Sequence, residues 1–224
     1  MIGYVKPDFM HTCCLGVLPA YLGCAMWELF KTLGGTFKKS IEVCTTLRNM
    51  IVFAARELNL EKPFSYLTVT MIRKAASKKA FMRLKAAEAR YFLPILLHVL
   101  EYYFDSKGEH EQLRLQCGKA LQRMYDELKN WCATSSFNLA HACRQHLILY
   151  QQLHLRSSSE LMWAVLPKHH LLIHVCEGVT TNPRDLWNYA DEDEIGKSGK
   201  FGKSFTPNNV GPAVLRNFRL KHRV

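Results

Sequence analysis

The sequence predicts a mainly α protein of six or seven packed helices with little strand. Over most of the first 179 residues, apolar side chains recur every three or four positions, which is the spacing of an amphipathic helix. Hydrophobic residues make up 48% of the 224 residues, so the chain can bury a sizeable core. We assign residues 1–179 to a helical domain and residues 180–224, rich in glycine and basic side chains, to a basic, partly irregular tail.

The first predicted helix covers residues 11–33 and ends at the Gly34-Gly35 pair, because glycine is favoured just beyond a helix. It contains an uncharged run from Cys13 to Trp27. This run is shorter than the roughly 20 apolar residues of a membrane span, and two glycines and a proline interrupt it. We therefore expect a buried helix and no membrane contact.

The same spacing predicts further helices over the ranges 38–58, 91–104, 109–132, 135–153 and 161–179. Ser135 or Ser136 could cap the helix predicted over 135–153. Pro94 lies inside the predicted helix that ends at residue 104, and it predicts a kink or a restart there because proline has no N–H to donate. The segment 64–72 fits either a short extended piece or the start of a helix.

The chain is strongly basic, with a formal net charge of +11 and a pI near 9.3. Such a charge favours contact with polyanions, nucleic acid first and acidic membrane surfaces second. We predict that two sets of cations contact phosphates. They are Arg73, Lys74, Lys78, Lys79, Arg83 and Lys85 in a basic zone, and Lys197, Lys200 and Lys203 in the tail. The alternative is a solvated helical face followed by a disordered tail.

The eight cysteines form no C-x-x-C pair and most lie among apolar residues, which is typical of reduced, buried thiols in an intracellular protein. No dinucleotide fingerprint, P-loop or nucleophile elbow is present, so these enzyme classes have no positive support.

The densest run of polar ligands is His169-His170-Leu171-Leu172-Ile173-His174-Val175-Cys176, which we interpret as the inner face of a late helix. His170 and His174 are four positions apart and share a face, as zinc ligands on a helix do. A structural zinc would need two more ligands from His11, Cys13, Cys14 or Cys176. Histidines that bond to carbonyl groups are the favoured interpretation.

Four stretches form an ordered set along the chain: Asp8-Phe9-Met10-His11 with Leu15-Gly16-Val17, 84–90 with Leu93-Pro94-Ile95-Leu96, 167–174, and Asn182-Pro183-Arg184 with 189–196. The first three resemble the "D-x-M-H … L-G" segment, a helix ending in "L-P-x-L" and the late "P-K-x-H-x-x-x-H" helix of CACTA/Plavaka-type DDE transposases and their domesticated relatives. The fourth is similar to an "N-P-R … D-E-x-x-G" segment of related transposon-derived proteins.

The resemblance implies a ribonuclease-H-like core with a helical insertion, which cleaves DNA and transfers strands with two Mg²⁺ or Mn²⁺ ions. It implies that Asp8 is the family's second catalytic aspartate and that Glu192 is the third carboxylate, with Glu194 close behind and Glu88 as a fallback. Asp8 and Glu192 would then bind metal. The alternatives are that Asp8 caps a helix, that Glu192 belongs to a solvated acidic run, and that Glu88 pairs with Lys85.

The family places its first catalytic aspartate and several strands well before the "D-x-M-H" segment, whereas seven residues precede Asp8 here. We therefore expect a truncated part of the catalytic region that binds DNA in the nucleus and is inactive without the missing N-terminal part. A homo-oligomer is compatible with this expectation. The alternative is a non-enzymatic, basic helical domain that binds nucleic acid or an acidic partner.

Overall fold

The computed structural model describes residues 8–102 and 108–186, and within these ranges the chain forms seven α-helices and no strand. The mainly α prediction is therefore confirmed. The α-helices are α1 (Leu18–Thr32), α2 (Ile41–Glu57), α3 (Val69–Ile72), α4 (Ala86–Tyr102), α5 (Glu109–Lys129), α6 (Ser135–Arg156) and α7 (Pro167–Cys176). A π-helix, Met10–Val17, leads directly into α1, and a 3₁₀ turn covers Pro183–Leu186.

The π-helix and α1 form the apolar centre of the fold, as the uncharged run predicts. Met10, Val17, Tyr21 and Met26 are completely buried. The combined helix Met10–Thr32 is long and apolar enough to cross a membrane, but 89% of its most apolar window is buried by the rest of the protein. A membrane-spanning placement would have to expose this packed surface, so the burial supports a core helix.

The longest helices, α5 and α6, form an antiparallel pair joined by a short connection, as expected for a short link between neighbouring helices. At their open end Arg156 Nη2 contacts Glu109 Oε1 at 2.6 Å. Helix α4 packs against α1, α2, α5 and the π-helix, whereas α7 packs against α6 and the π-helix. Helix α4 continues through Pro94, so the predicted restart does not occur.

The predicted helix over residues 161–179 is wrong in its first part, because α7 begins only at Pro167. Proline fits the first position of a helix, where no N–H partner is required. The preceding segment is irregular around Trp163, which has a positive φ of 51° and is fully buried. Its backbone N–H donates to Cys24 Sγ at 3.1 Å, so contacts with α1 replace the helical hydrogen bonds.

Residues 73–85, which we call the basic loop, connect α3 to α4 without regular structure. Backbone hydrogen bonds fix its second half: Met82 N donates to Pro19 O at 2.8 Å, and Arg83 N donates to Met71 O at 2.8 Å. Gly23 on α1 lets the loop approach, since a Cβ atom there would overlap the backbone of Phe81. The loop is therefore held against the core.

Candidate functional site

The basic loop displays five exposed cations on this fixed backbone. None of them forms an ion pair with a carboxylate in the described ranges, so their charge is directed to solvent or to a ligand. They are Lys74, Lys78, Lys79, Arg83 and Lys85.

Arg73 differs from the other cations predicted to contact phosphate, because it is only 7% exposed. Its guanidinium donates to Ala76 O at 2.6 Å and to Lys78 O at 2.7 Å, and it lies over the ring of Trp27. Burial lowers the pKa of Arg73. Arg73 therefore holds the first turn of the basic loop in place, and its buried guanidinium does not provide the phosphate contact predicted from the sequence.

The structure brings together two stretches that carry the transposase resemblance, those around Asp8 and Pro167. Lys168 Nζ donates to His11 O at 2.7 Å and to Leu15 O at 3.2 Å, two carbonyls of the π-helix. Gly16 makes room for this lysine, since a Cβ atom at Gly16 would overlap the Lys168 side chain. These positions therefore have a shared structural role at the contact of α7 with the π-helix.

The Asp8 carboxylate accepts hydrogen bonds from the backbone at the start of the π-helix. Its Oδ1 accepts the N–H of Met10 at 3.2 Å, and its Oδ2 accepts the N–H of His11 at 3.1 Å and contacts His11 Nδ1 at 2.7 Å. Capping of this kind satisfies N–H groups that have no partner within the helix. The capping role expected as the alternative to metal binding is therefore present.

Glu88 also serves as a cap, at the start of α4, where its Oε2 accepts the backbone N–H of Lys85 at 2.9 Å. The sequence predicted, as the alternative to catalysis, an ion pair between Glu88 and the ammonium group of Lys85. Lys85 is indeed the partner of Glu88, but the donor is its backbone N–H and not its ammonium group. Within the two described ranges, no three His, Cys, Asp or Glu side chains are arranged to hold a metal ion. Glu192, Glu194, Lys197, Lys200 and Lys203 lie outside those ranges.

The predicted inner face of the late helix is correct for His169 and wrong for the other two histidines. His169 is buried, and its Nδ1 accepts the N–H of Leu166 at 3.0 Å. His170 and His174 are exposed, with their Nε2 atoms 3.0 Å apart. Burial lowers the pKa of His169 to about 4, so it is neutral near pH 7.

The cysteines proposed as further zinc ligands lie in the core. The Sγ atoms of Cys13 and Cys14 are 3.4 Å and 3.2 Å from the hydroxyl of Tyr125, and both residues are completely buried. Burial raises the pKa of the Cys13 thiol, which disfavours the thiolate that zinc requires. The buried thiols and the exposed pair His170 and His174 therefore do not form one ligand set.

A partly buried ionic network around Glu28 was not predicted from the sequence. Glu28 Oε1 accepts from Trp163 Nε1 at 2.6 Å and from His110 Nε2 at 3.0 Å, while Oε2 accepts from Arg114 Nη1 at 2.8 Å. Burial opposes ionisation, but these three donors together lower the pKa of Glu28. The one available signal was that Glu28 is the first charge after the uncharged run.

Comparison of the chain with protein-family models, with curated proteins and with solved structures finds no match.

Proposed function

We propose that this chain is derived from a transposase and that it binds DNA through the basic loop. The observation that carries the proposal is the set of five exposed cations on a loop tethered to the core, without carboxylate partners in the part of the chain that the structure describes. The net charge of +11 supports a polyanionic partner.

The tethering makes the loop a favourable place for phosphate contacts. Because its backbone is already bonded to α1 and α3, binding does not have to order it. Lysine and arginine that meet phosphates release condensed counterions, so the affinity should fall as salt rises. With all five cations engaged, the slope of log K against log salt would reach about −4.5 for duplex DNA.

We propose that the ancestral activity was metal-dependent DNA cleavage and strand transfer by a ribonuclease-H-like core. In the described residues, however, Asp8 and Glu88 cap two different helices. These carboxylates do not form a ligand set for Mg²⁺ or Mn²⁺, so cleavage would need other carboxylates, such as Glu192.

The test compares two double variants that remove the same charge. Binding of a short labelled duplex is followed by fluorescence anisotropy from about 50 to 200 mM salt. Lys78→Ala with Lys79→Ala should weaken binding and reduce the magnitude of the salt slope by about 2. The matched control, Lys38→Ala with Lys39→Ala, removes two exposed lysines from another loop and should change the slope much less.

Two results would contradict the proposal. One is a wild-type chain that shows no salt-dependent binding of DNA. The other is an equal loss in both double variants, which would indicate that only the overall charge matters.

The second candidate is a non-enzymatic interaction domain whose basic loop binds RNA or an acidic protein. The capping roles of Asp8 and Glu88 favour it, because they assign both carboxylates to structure. Competition of unlabelled RNA or polyglutamate against the duplex separates the two candidates. A competitor that displaces DNA at a much lower concentration than unlabelled duplex would favour this second function.

A further inference from the structure

A cleft of about 430 Å³ opens beside the basic loop, between the segment 62–66 and the start of α4. Among the residues that line it are Lys62, Phe64, Tyr66, Met71, Arg83 and Glu88. We propose that this cleft takes one unpaired nucleotide of DNA, with the base against Tyr66 and the phosphate against Lys62 and Arg83. The inference rests on the DNA binding proposed above and makes it specific: the chain should prefer DNA that carries unpaired nucleotides to blunt duplex.

Tyr66 is the aromatic platform of the cleft. Its side chain is 68% exposed, although burying an aromatic ring is favourable. Exposed aromatic side chains beside a basic groove are typical of proteins that bind single strands, because every base has a face that can stack. Phe64, which also lines the cleft, packs on Phe92 at 5.2 Å, whereas Tyr66 has no ring partner in the described ranges.

The charge of the lining suits a phosphate group. Lys62 and Arg83 are exposed, and neither forms an ion pair with a carboxylate in the ranges that the structure covers. Glu88 is the one acidic residue in the lining, and its Oε2 already accepts the Lys85 N–H. The positive charges of Lys62 and Arg83 outnumber the single negative charge of Glu88, so the cleft carries a net positive charge. It is continuous with the basic loop, because Arg83 belongs to both.

The walls of the cleft are fixed before any ligand binds. Arg48 Nε donates to Ser65 O at 2.8 Å and so ties one wall to α2. On the other wall, Arg83 N donates to Met71 O at 2.8 Å. The volume falls within the range of about 300–1,000 Å³ that is usual for small-ligand sites. A single nucleotide can therefore enter a preformed site, at a lower entropic cost than a mobile loop would impose.

The experiment measures the binding of the full chain to two labelled probes, a blunt duplex and the same duplex with a short single-stranded overhang. The wild type should bind the overhang probe more tightly. Tyr66→Ala should lose about 5- to 100-fold in affinity for this probe, as expected for one lost stacking contact, and should keep its affinity for the blunt duplex. Tyr66→Phe keeps the ring and should keep the preference.

Tyr91→Ala is the matched control, since Tyr91 is an exposed tyrosine on α4 that does not line the cleft. Circular dichroism of each variant checks that the fold is retained. If the wild type binds both probes equally, or if Tyr66→Ala and Tyr91→Ala lose the same affinity, the cleft proposal is wrong and the DNA binding stands. If the wild type binds neither probe, both proposals fail.

Discussion

Glu28 shows how one residue connects distant parts of this fold. Its carboxylate joins α1 to α5 through His110 and Arg114, and to the irregular segment before α7 through Trp163. Arg114 is only 5% exposed, so its charge depends on Glu28 for compensation. Removing one partner of a buried ion pair is costly because the other charge stays buried without a partner.

We expect Glu28→Gln to destabilise the protein by about 3 kcal/mol, at the lower end of the range for a broken buried pair, because Glu28 itself is only partly buried. The free energy of unfolding from urea titrations measures this effect. Glu101→Gln breaks an exposed ion pair with Lys119 and should cost less than about 1 kcal/mol. Equal losses in the two variants would show that the Glu28 network is not a structural centre.

At the scale of the elements, local periodicity predicted the long helices well. The predicted ranges 38–58 and 109–132 correspond to Ile41–Glu57 and Glu109–Lys129, because each helix has one continuous apolar face. Periodicity could not predict the irregular segment around Trp163, where the spacing is helical but contacts with Cys24 and Glu28 determine the backbone. The tethering of the basic loop through Gly23 depends on long-range contacts in the same way.

In the candidate site, too, the features set by the local sequence could be predicted and those set by long-range contacts could not. The exposure of Lys74, Lys78 and Lys79 follows from composition, since lysine is rarely buried, and the structure agrees. The burial of Arg73 beneath the loop could not be predicted, because it depends on a Trp27 ring distant in sequence. The cleft beside Tyr66 could not be predicted from the sequence either, because it forms only where the segment 62–66 meets the basic loop.

The contact of the π-helix with α7 yields a prediction at the same scale. We expect Gly16→Ala to destabilise the protein by about 1–3 kcal/mol, because the new methyl group overlaps the Lys168 side chain. Lys168→Ala should also destabilise, since it leaves the carbonyls of His11 and Leu15 without this donor. The double variant should lose less than the sum of the two single losses, because truncating the lysine leaves space for the methyl group. Urea titrations of the three variants measure this coupling, and strictly additive losses would refute the contact.

At the scale of the whole molecule, burial changes which side chains bind a proton. The exposed lysines of the basic loop face outward, whereas two buried histidines, His146 and His169, are kept neutral inside. Burial lowers the pKa of His146 to about 3 and that of His169 to about 4. Folding therefore excludes two protons that the unfolded chain would bind at mildly acidic pH.

The stability of the fold should consequently fall as the pH falls below 6.5. Between this value and about 4, the unfolded chain protonates both histidines while the folded chain does not, and each proton contributes about 1.4 kcal/mol per pH unit. His110 acts in the opposite direction: its hydrogen bond with Glu28 raises its pKa, so its contribution is complete below 6.5 and is lost as the pH rises through the raised value. Over the acidic range the two buried histidines therefore determine the slope, until Glu28 adds to the loss below about 4.5.

His169→Gln tests this account with little change of structure. A glutamine at the third position of a helix can accept the Leu166 N–H as His169 Nδ1 does, but it does not titrate. We expect the variant to lose about one proton from the acid slope, roughly 1.4 kcal/mol per pH unit, in urea titrations between about pH 6.5 and 4.5. At about pH 8 the histidine is neutral in both states, so the stabilities of the two proteins there report the packing change alone. An unchanged acid slope would mean that His169 binds its proton as readily in the folded state as in the unfolded state, and the acid sensitivity would then have to come from other groups.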